Sequence, residues 1–229
     1  MILADPRVLA LTANTVNLPT GGKPSQSIVS ILLLTVLAVA PALVVCLTSF
    51  TRIVIVLALT RNALGAQNIP PNQVIVGLAL FLSLFIMSPT LTQMNHDGLQ
   101  PYLHGTKTAA PAFKDAEEPL REWMAKQTRP AELNMMLQAR HEKPATVNDV
   151  SMTALAPAFI LSEIKTAFLM GFVIFIPFLV IDLVVSATLM SMGMMMLPPT
   201  LVSLPFKLLL FVLVDGWALV THPLLVSFR

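Results

Sequence analysis

The apolar run from Ala154 to Met192 is too long for one straight crossing of a membrane, which takes about 20 residues, yet it is not uniformly apolar. It holds Pro157, Glu163, Lys165, Gly171, Pro177 and Asp182. Three other runs share this character. Ile28 to Leu59 contains Pro41 and Arg52, Val74 to Pro89 is barely long enough to span, and Leu201 to Leu225 contains Pro205, Lys207, Asp215 and Trp217. A helix over 28–59 would extend about 48 Å at 1.5 Å per residue, against a hydrocarbon core of roughly 30 Å, and Pro41 is expected to kink it. Long apolar runs, internal prolines and ionisable residues within them describe an irregular, all-α membrane-associated protein rather than a set of simple spans.

Composition agrees. Of 229 residues, 55% are hydrophobic and only 11% charged, where soluble domains carry roughly 25% charged residues. A formal charge of +2 is too small to point to nucleic acid, and one cysteine, Cys46, excludes a disulfide framework and a Cys-based metal site. The first 27 residues form a polar lead-in without a basic stretch followed by an apolar one. No signal peptide is therefore expected in them; targeting falls to the first apolar run or to a segment already removed.

The short link Arg61 to Gln73, with Gly65 and Pro70-Pro71, makes the first two runs antiparallel neighbours. The expected organisation is a lead-in (1–27), a helical hairpin (28–91), a mixed-charge hydrophilic insert (92–152) and a second hairpin (153–229) with a methionine-rich loop at 190–199. Within the insert, Leu120, Trp123, Met124 and Gln127, then Leu133, Met136, Leu137 and Arg140 after Pro130, recur at helical spacing and predict two short amphipathic helices. His96, His104 and His141 lie too far apart for a metal motif.

A charge facing lipid costs several kcal/mol, so Arg52, Glu163, Lys165, Asp182, Lys207 and Asp215 are expected to face protein or water and to pair. Glu163 and Lys165 point to different faces of a helix. Lys207 and Asp215 lie about 12 Å apart along one. Their partners belong on other helices of the chain or of another subunit. Ser162-Glu163 is the nearest thing to a nucleophile beside a base, but adjacent helical residues diverge, so no enzyme is expected.

Five of the chain's 13 methionines fall between Met190 and Met196, just before Pro198-Pro199. Such a cluster serves as deformable core filler, as a flexible apolar gasket around a pore, or as a thioether copper site. No Cys or His stands beside it, and no inverted repeat suggests a small-solute transporter.

These residues also carry a resemblance. The strings Leu47 to Ile53, Arg61 to Gly65, Pro70 to Val74, Pro157-Ala158-Phe159, Ser162 to Phe168, Ile174 to Leu179, Ile181 to Val185, Met192 to Pro199, Leu204 to Lys207 and Val214 to Trp217 resemble the FliP family of flagellar biosynthesis proteins, kin to the SctR and YscR proteins of virulence injectisomes. The likeness covers roughly Ile28 to Val220, and the tail Thr221-His222-Pro223 departs from the family's Gly-Ser pattern.

The resemblance implies a core subunit of the flagellar type III protein export gate, in the bacterial inner membrane at the flagellar basal body. It implies five copies assembling with FliQ and FliR into a helical cone, beside FlhB and FlhA, through which unfolded flagellar proteins pass. The insert would lie toward the periplasm, and Met192, Met194, Met195 and Met196 would form the gasket. No cofactor is implied. The injectisome gate is the alternative assignment, and a methionine-dependent copper or solute transporter a remote one.

Overall fold

The computed structural model describes residues 26–66, 69–144, 146, 149–194 and 196–228, all in helices and their connections, with no strand among them. The lead-in lies outside these residues as far as position 25. The helices are α1 (Gln26–Leu47), α2 (Phe50–Leu64), α3 (Asn72–Met94), α4 (Ala109–Gln127), α5 (Pro130–Arg140), α6 (Met152–Ser191), α7 (Pro199–Leu213) and α8 (Gly216–Val226). They fall into two compact units, one ending at Ala42 within α1 and one beginning at Leu43.

Two bends of more than 40° break the apolar runs, each at a short step between helices. Pro41 lies inside α1, while the chain turns by 79° between Pro41–Leu47 and Phe50–Leu64, at Thr48-Ser49. A helix end leaves carbonyls without partners. Here the hydroxyls of Thr48 and Thr51 donate to Val44 O and Val45 O, so the break costs little. A second bend, of 62°, separates α7 from α8 at Val214-Asp215, so the last apolar run is two helices where the sequence reads as one. Asp215 adopts the left-handed conformation (φ 50°), which Asp tolerates better than most residues.

α2 is the central element. Phe50, Ile53, Val56 and Leu57, three or four residues apart, are all buried, packed with Ile75 and Ala79 of α3, Ala167 of α6 and Val220 and Leu224 of α8. The α2–α3 hairpin is antiparallel: Ser49 meets Ser83 (3.1 Å) near one end and Arg61 donates to Asn72 Oδ1 (2.7 Å) near the other. α6 approaches α2 closely at Gly171, where a Cβ would collide with the Leu59 side chain.

The insert is continuous with α3 and packs on the start of α6. α3 continues through a π-helical turn (Asn95–Leu99) and a last turn (Gln100–Leu103). α4 returns along it, and Ala112 and Ala116 crowd Gly98 so closely that no other residue would fit there. Helices α4 and α5 occupy this part of the chain and pack Met124, Trp123, Leu133, Met136 and Leu137 onto Ala154, Leu155 and Phe159 at the start of α6.

Two continuous helical stretches, Asn72–Leu103 and Met152–Ser191, are long and apolar enough to cross a membrane; each bent pair would supply one more if it acts as a single span. The 40 residues of α6 make a rod of about 60 Å at 1.5 Å per residue. Its buried residues concentrate in the first half, and from Phe172 to Met190 most of its apolar side chains are exposed.

Candidate functional site

The methionine run ends α6 and forms the turn into α7. Gly193 has a positive φ (73°), and the N–H groups of Gly193 and Met194 donate back to Met190 O (3.1 Å) and Leu189 O (3.0 Å). This is a helix end finished by a left-handed glycine, with Pro199 opening the next helix. Met192 is 66% exposed and Met196 99%, while Met194 is half-buried. Met195 lies outside the described residues. Within this chain, then, Met192 and Met196 are not core filler.

A polar clamp closes the hairpin below that turn. Lys207 of α7 donates to Asp182 Oδ2 of α6 (2.6 Å) and Ser203 donates to Asp182 Oδ1 (2.6 Å). The same ammonium donates to Ala63 O (3.3 Å), one of the carbonyls that the end of α2 leaves without a helical partner. Lys207 is buried and Asp182 half-buried. One cation therefore joins α2, α6 and α7.

Arg52 and Glu163 form the second centre. Arg52 Nε donates to Glu163 Oε2 (2.9 Å) and Nη2 to Oε1; both residues are buried. The remaining guanidinium hydrogens go to Ser227 O (3.1 Å), Ser227 Oγ (2.9 Å) and Gln127 Oε1 (3.2 Å). A forked, fully donating guanidinium suits such a place, where a point-like ammonium would leave acceptors unfilled.

Lys165 pairs with Glu132 of α5 at 2.8 Å, tying the insert to α6. The hydrogen bond from Lys165, ahead of the opposing effect of desolvation, holds the Glu132 carboxyl below its usual range. The six expected charges thus separate into two groups. Arg52, Glu163 and Lys207 are buried and Asp182 half-buried, whereas Lys165 and Asp215 are exposed in this chain. Among the described residues no ion pair reaches Asp215, which stands at the bend before α8. The Asp-Gly step at 215–216, a turn signal, marks that position more directly than burial does.

Sequence reasoning missed Glu132, Gln127, Ser203, Ser227 and Phe228 as partners. Glu132 stands in the first turn of α5, an ordinary place for an acid, and carried no mark of its distant lysine. Among the described residues no group of three His, Cys, Asp or Glu side chains is placed to hold a metal ion. What the arrangement supplies is a braced helical hairpin that presents a deformable apolar loop. An apolar groove of about 680 Å³ lies between α6, α7 and α8, lined by Met170, Ile174, Phe178, Leu210, Leu219 and Pro223 among others.

Residues 33–224 match the model of the FliP family. The chain is 52% identical over 205 residues to the flagellar biosynthetic protein FliP of Bacillus subtilis strain 168, covering 89% of this chain and 93% of that one. It is 48% identical over 213 residues to the FliP of Pectobacterium carotovorum subsp. carotovorum (92% and 83%). It is 45% identical over 223 residues to the FliP of Caulobacter vibrioides (96% and 84%).

Proposed function

Because the chain belongs to the FliP family, we propose that it is a pore-forming subunit of the flagellar type III protein export gate. In this reading several copies, five by analogy with the family, assemble with FliQ and FliR into a helical cone associated with the bacterial inner membrane. FlhB and FlhA stand beside it, unfolded flagellar proteins pass through it, and the insert faces the periplasm. The chain binds and positions rather than catalyses.

The observation that carries the assembly is the length of exposed apolar helix. Exposed apolar side chains on α6 run from Leu161 to Met190, about 43 Å along the axis at 1.5 Å per residue. That exceeds the roughly 30 Å that lipid covers. The remainder needs protein against it, and the exposed apolar faces of α3 (Phe81, Phe85) and α7 (Leu209, Val212, Leu213) are of the same kind. Met192, Met194, Met195 and Met196 then serve as the gasket. A thioether side chain with three free torsions closes an empty channel and deforms around a passing chain, and an apolar constriction stops ions by dewetting.

The test is the native mass of the protein purified with and without co-expressed FliQ and FliR. One defined complex containing several copies of this chain is expected. A monodisperse, folded, helical monomer in detergent that gains nothing from its sister proteins would overturn the reading.

A further inference from the structure

α8, the last helix of the second hairpin, is held by few buried side chains. It leaves α7 through a 62° bend at Val214-Asp215. It buries only Gly216, Val220 and Leu224, while Leu219 and Val226 are exposed and the apolar groove undercuts its contact with α6. Helices with few buried contacts open at lower free energy than the core around them. Something beyond its own face has to hold this one.

That hold is Ser227-Phe228. Ser227 O and Oγ accept hydrogen bonds from Arg52 Nη1 at 3.1 and 2.9 Å. Phe228 O accepts one from Gln127 Nε2 at 3.2 Å. The Phe228 ring lies 3.9 Å from the Arg52 Cζ and stacks with Trp123 at 6.4 Å between centroids and 16° between planes. Arg52 belongs to α2, while Gln127 and Trp123 belong to α4 of the insert. An arginine over an aromatic face is attracted by the ring quadrupole, and the more so away from water. Arg52 is already fixed by Glu163, so the seat for Ser227-Phe228 is rigid before they reach it.

We propose that Ser227-Phe228 is a latch. Seated on Arg52, Gln127 and Trp123, it holds α8 over the apolar groove and ties α8 to the polar insert. Released, it lets α8 open as a unit about Asp215, leaving α2, α3 and the first half of α6 in place. A displacement of α4 within the insert thereby reaches a groove lined by other helices, through two residues. The latch does not depend on the export reading, because every contact it uses lies within one chain.

The experiment is amide hydrogen exchange on the protein purified in whatever complex it leaves the membrane, comparing wild type with Phe228→Ala and Phe228→Tyr. In Phe228→Ala the amides of 216–226 are expected to exchange at least tenfold faster, with α2 and α6 unchanged. Phe228→Tyr keeps the ring and is expected to keep wild-type protection. Unchanged protection of α8 in Phe228→Ala overturns the latch, and equal loss across α2, α6 and α8 makes Phe228 a core residue instead. Should Phe228→Ala yield no protein, wild type alone decides the matter. In rising denaturant the α8 amides must open before those of α2, and opening of both together overturns the proposal.

Discussion

Arg52 and Glu163 offer a sharp test of how the fold is held, because their surroundings are unequal. Both hydrogen bonds to the Glu163 carboxylate come from Arg52. Arg52 has in addition Ser227, Gln127 and the Phe228 ring. Breaking a buried pair by removing one partner costs about 3–5 kcal/mol, since the other charge is left uncompensated. Glu163→Met leaves a guanidinium that keeps its neutral acceptors, and belongs near 3 kcal/mol, about a hundredfold in the folding equilibrium. Arg52→Met strands a buried carboxylate that has no other donor among the described residues and unseats Ser227-Phe228, and belongs near 5 kcal/mol on the same scale. The double variant removes both charges and fills the space with apolar atoms, so it is expected to lose less than either single. The assay is detergent-titrated unfolding of the purified protein, followed by helicity, across wild type, both singles and the double. A double loss equal to the sum of the singles would mean that the two side chains do not act as a pair, and would refute the reasoning.

Three further expectations follow from the same geometry. Lys207→Met deprives Asp182 and Ala63 O of their donor. Asp182 is half-exposed and keeps Ser203, so the loss should be smaller than for Arg52, about 2 kcal/mol in the same titration. Replacing Met194, Met195 and Met196 by Ala should widen the proposed constriction; cells overproducing the assembled protein should admit small molecules or conduct ions more than wild type, with export at least partly retained. Glu132, held below the usual carboxylate range by Lys165, stabilises the α5–α6 contact at neutral pH. That contribution disappears as the pH falls through the ordinary glutamate range to the depressed value. Proteolytic protection of α5 should therefore weaken on acidification, and Glu132→Gln should be weaker at neutral pH and flatter with pH.

The all-helical class was legible because period and length carry it: Leu120 to Gln127 and Leu133 to Arg140 each repeat at helical spacing whatever they pack against. The bends were less so. Pro41 is a conspicuous residue, whereas the Thr48-Ser49 break shows in the sequence only as two hydroxyl residues, and the Thr51 hydroxyl reaches Val45 O six positions back only because the chain turns there. The ion pairs were half legible. That Lys207 and Glu163 need partners follows from dielectric cost, but who answers follows from tertiary packing: Glu163 finds Arg52 across 111 positions, and Lys165 finds Glu132 across 33. Asp215 is exposed in this chain, at the bend before α8, where an acid at the end of an apolar run marks a turn.

The pairing has an electrical consequence. Arg52 with Glu163, Lys207 with Asp182 and Lys165 with Glu132 are three contacts between opposite unit charges, so each pair is a dipole of no net charge. One elementary charge carried through 100 mV is worth about 2.3 kcal/mol, enough to bias a lone lysine or glutamate strongly between two positions. A matched pair that moves together feels no such force. Shifting the three braced pairs through a polarised membrane therefore moves no net charge, whereas Asp215 at the bend before α8, with no ion pair among the described residues, would still feel the voltage.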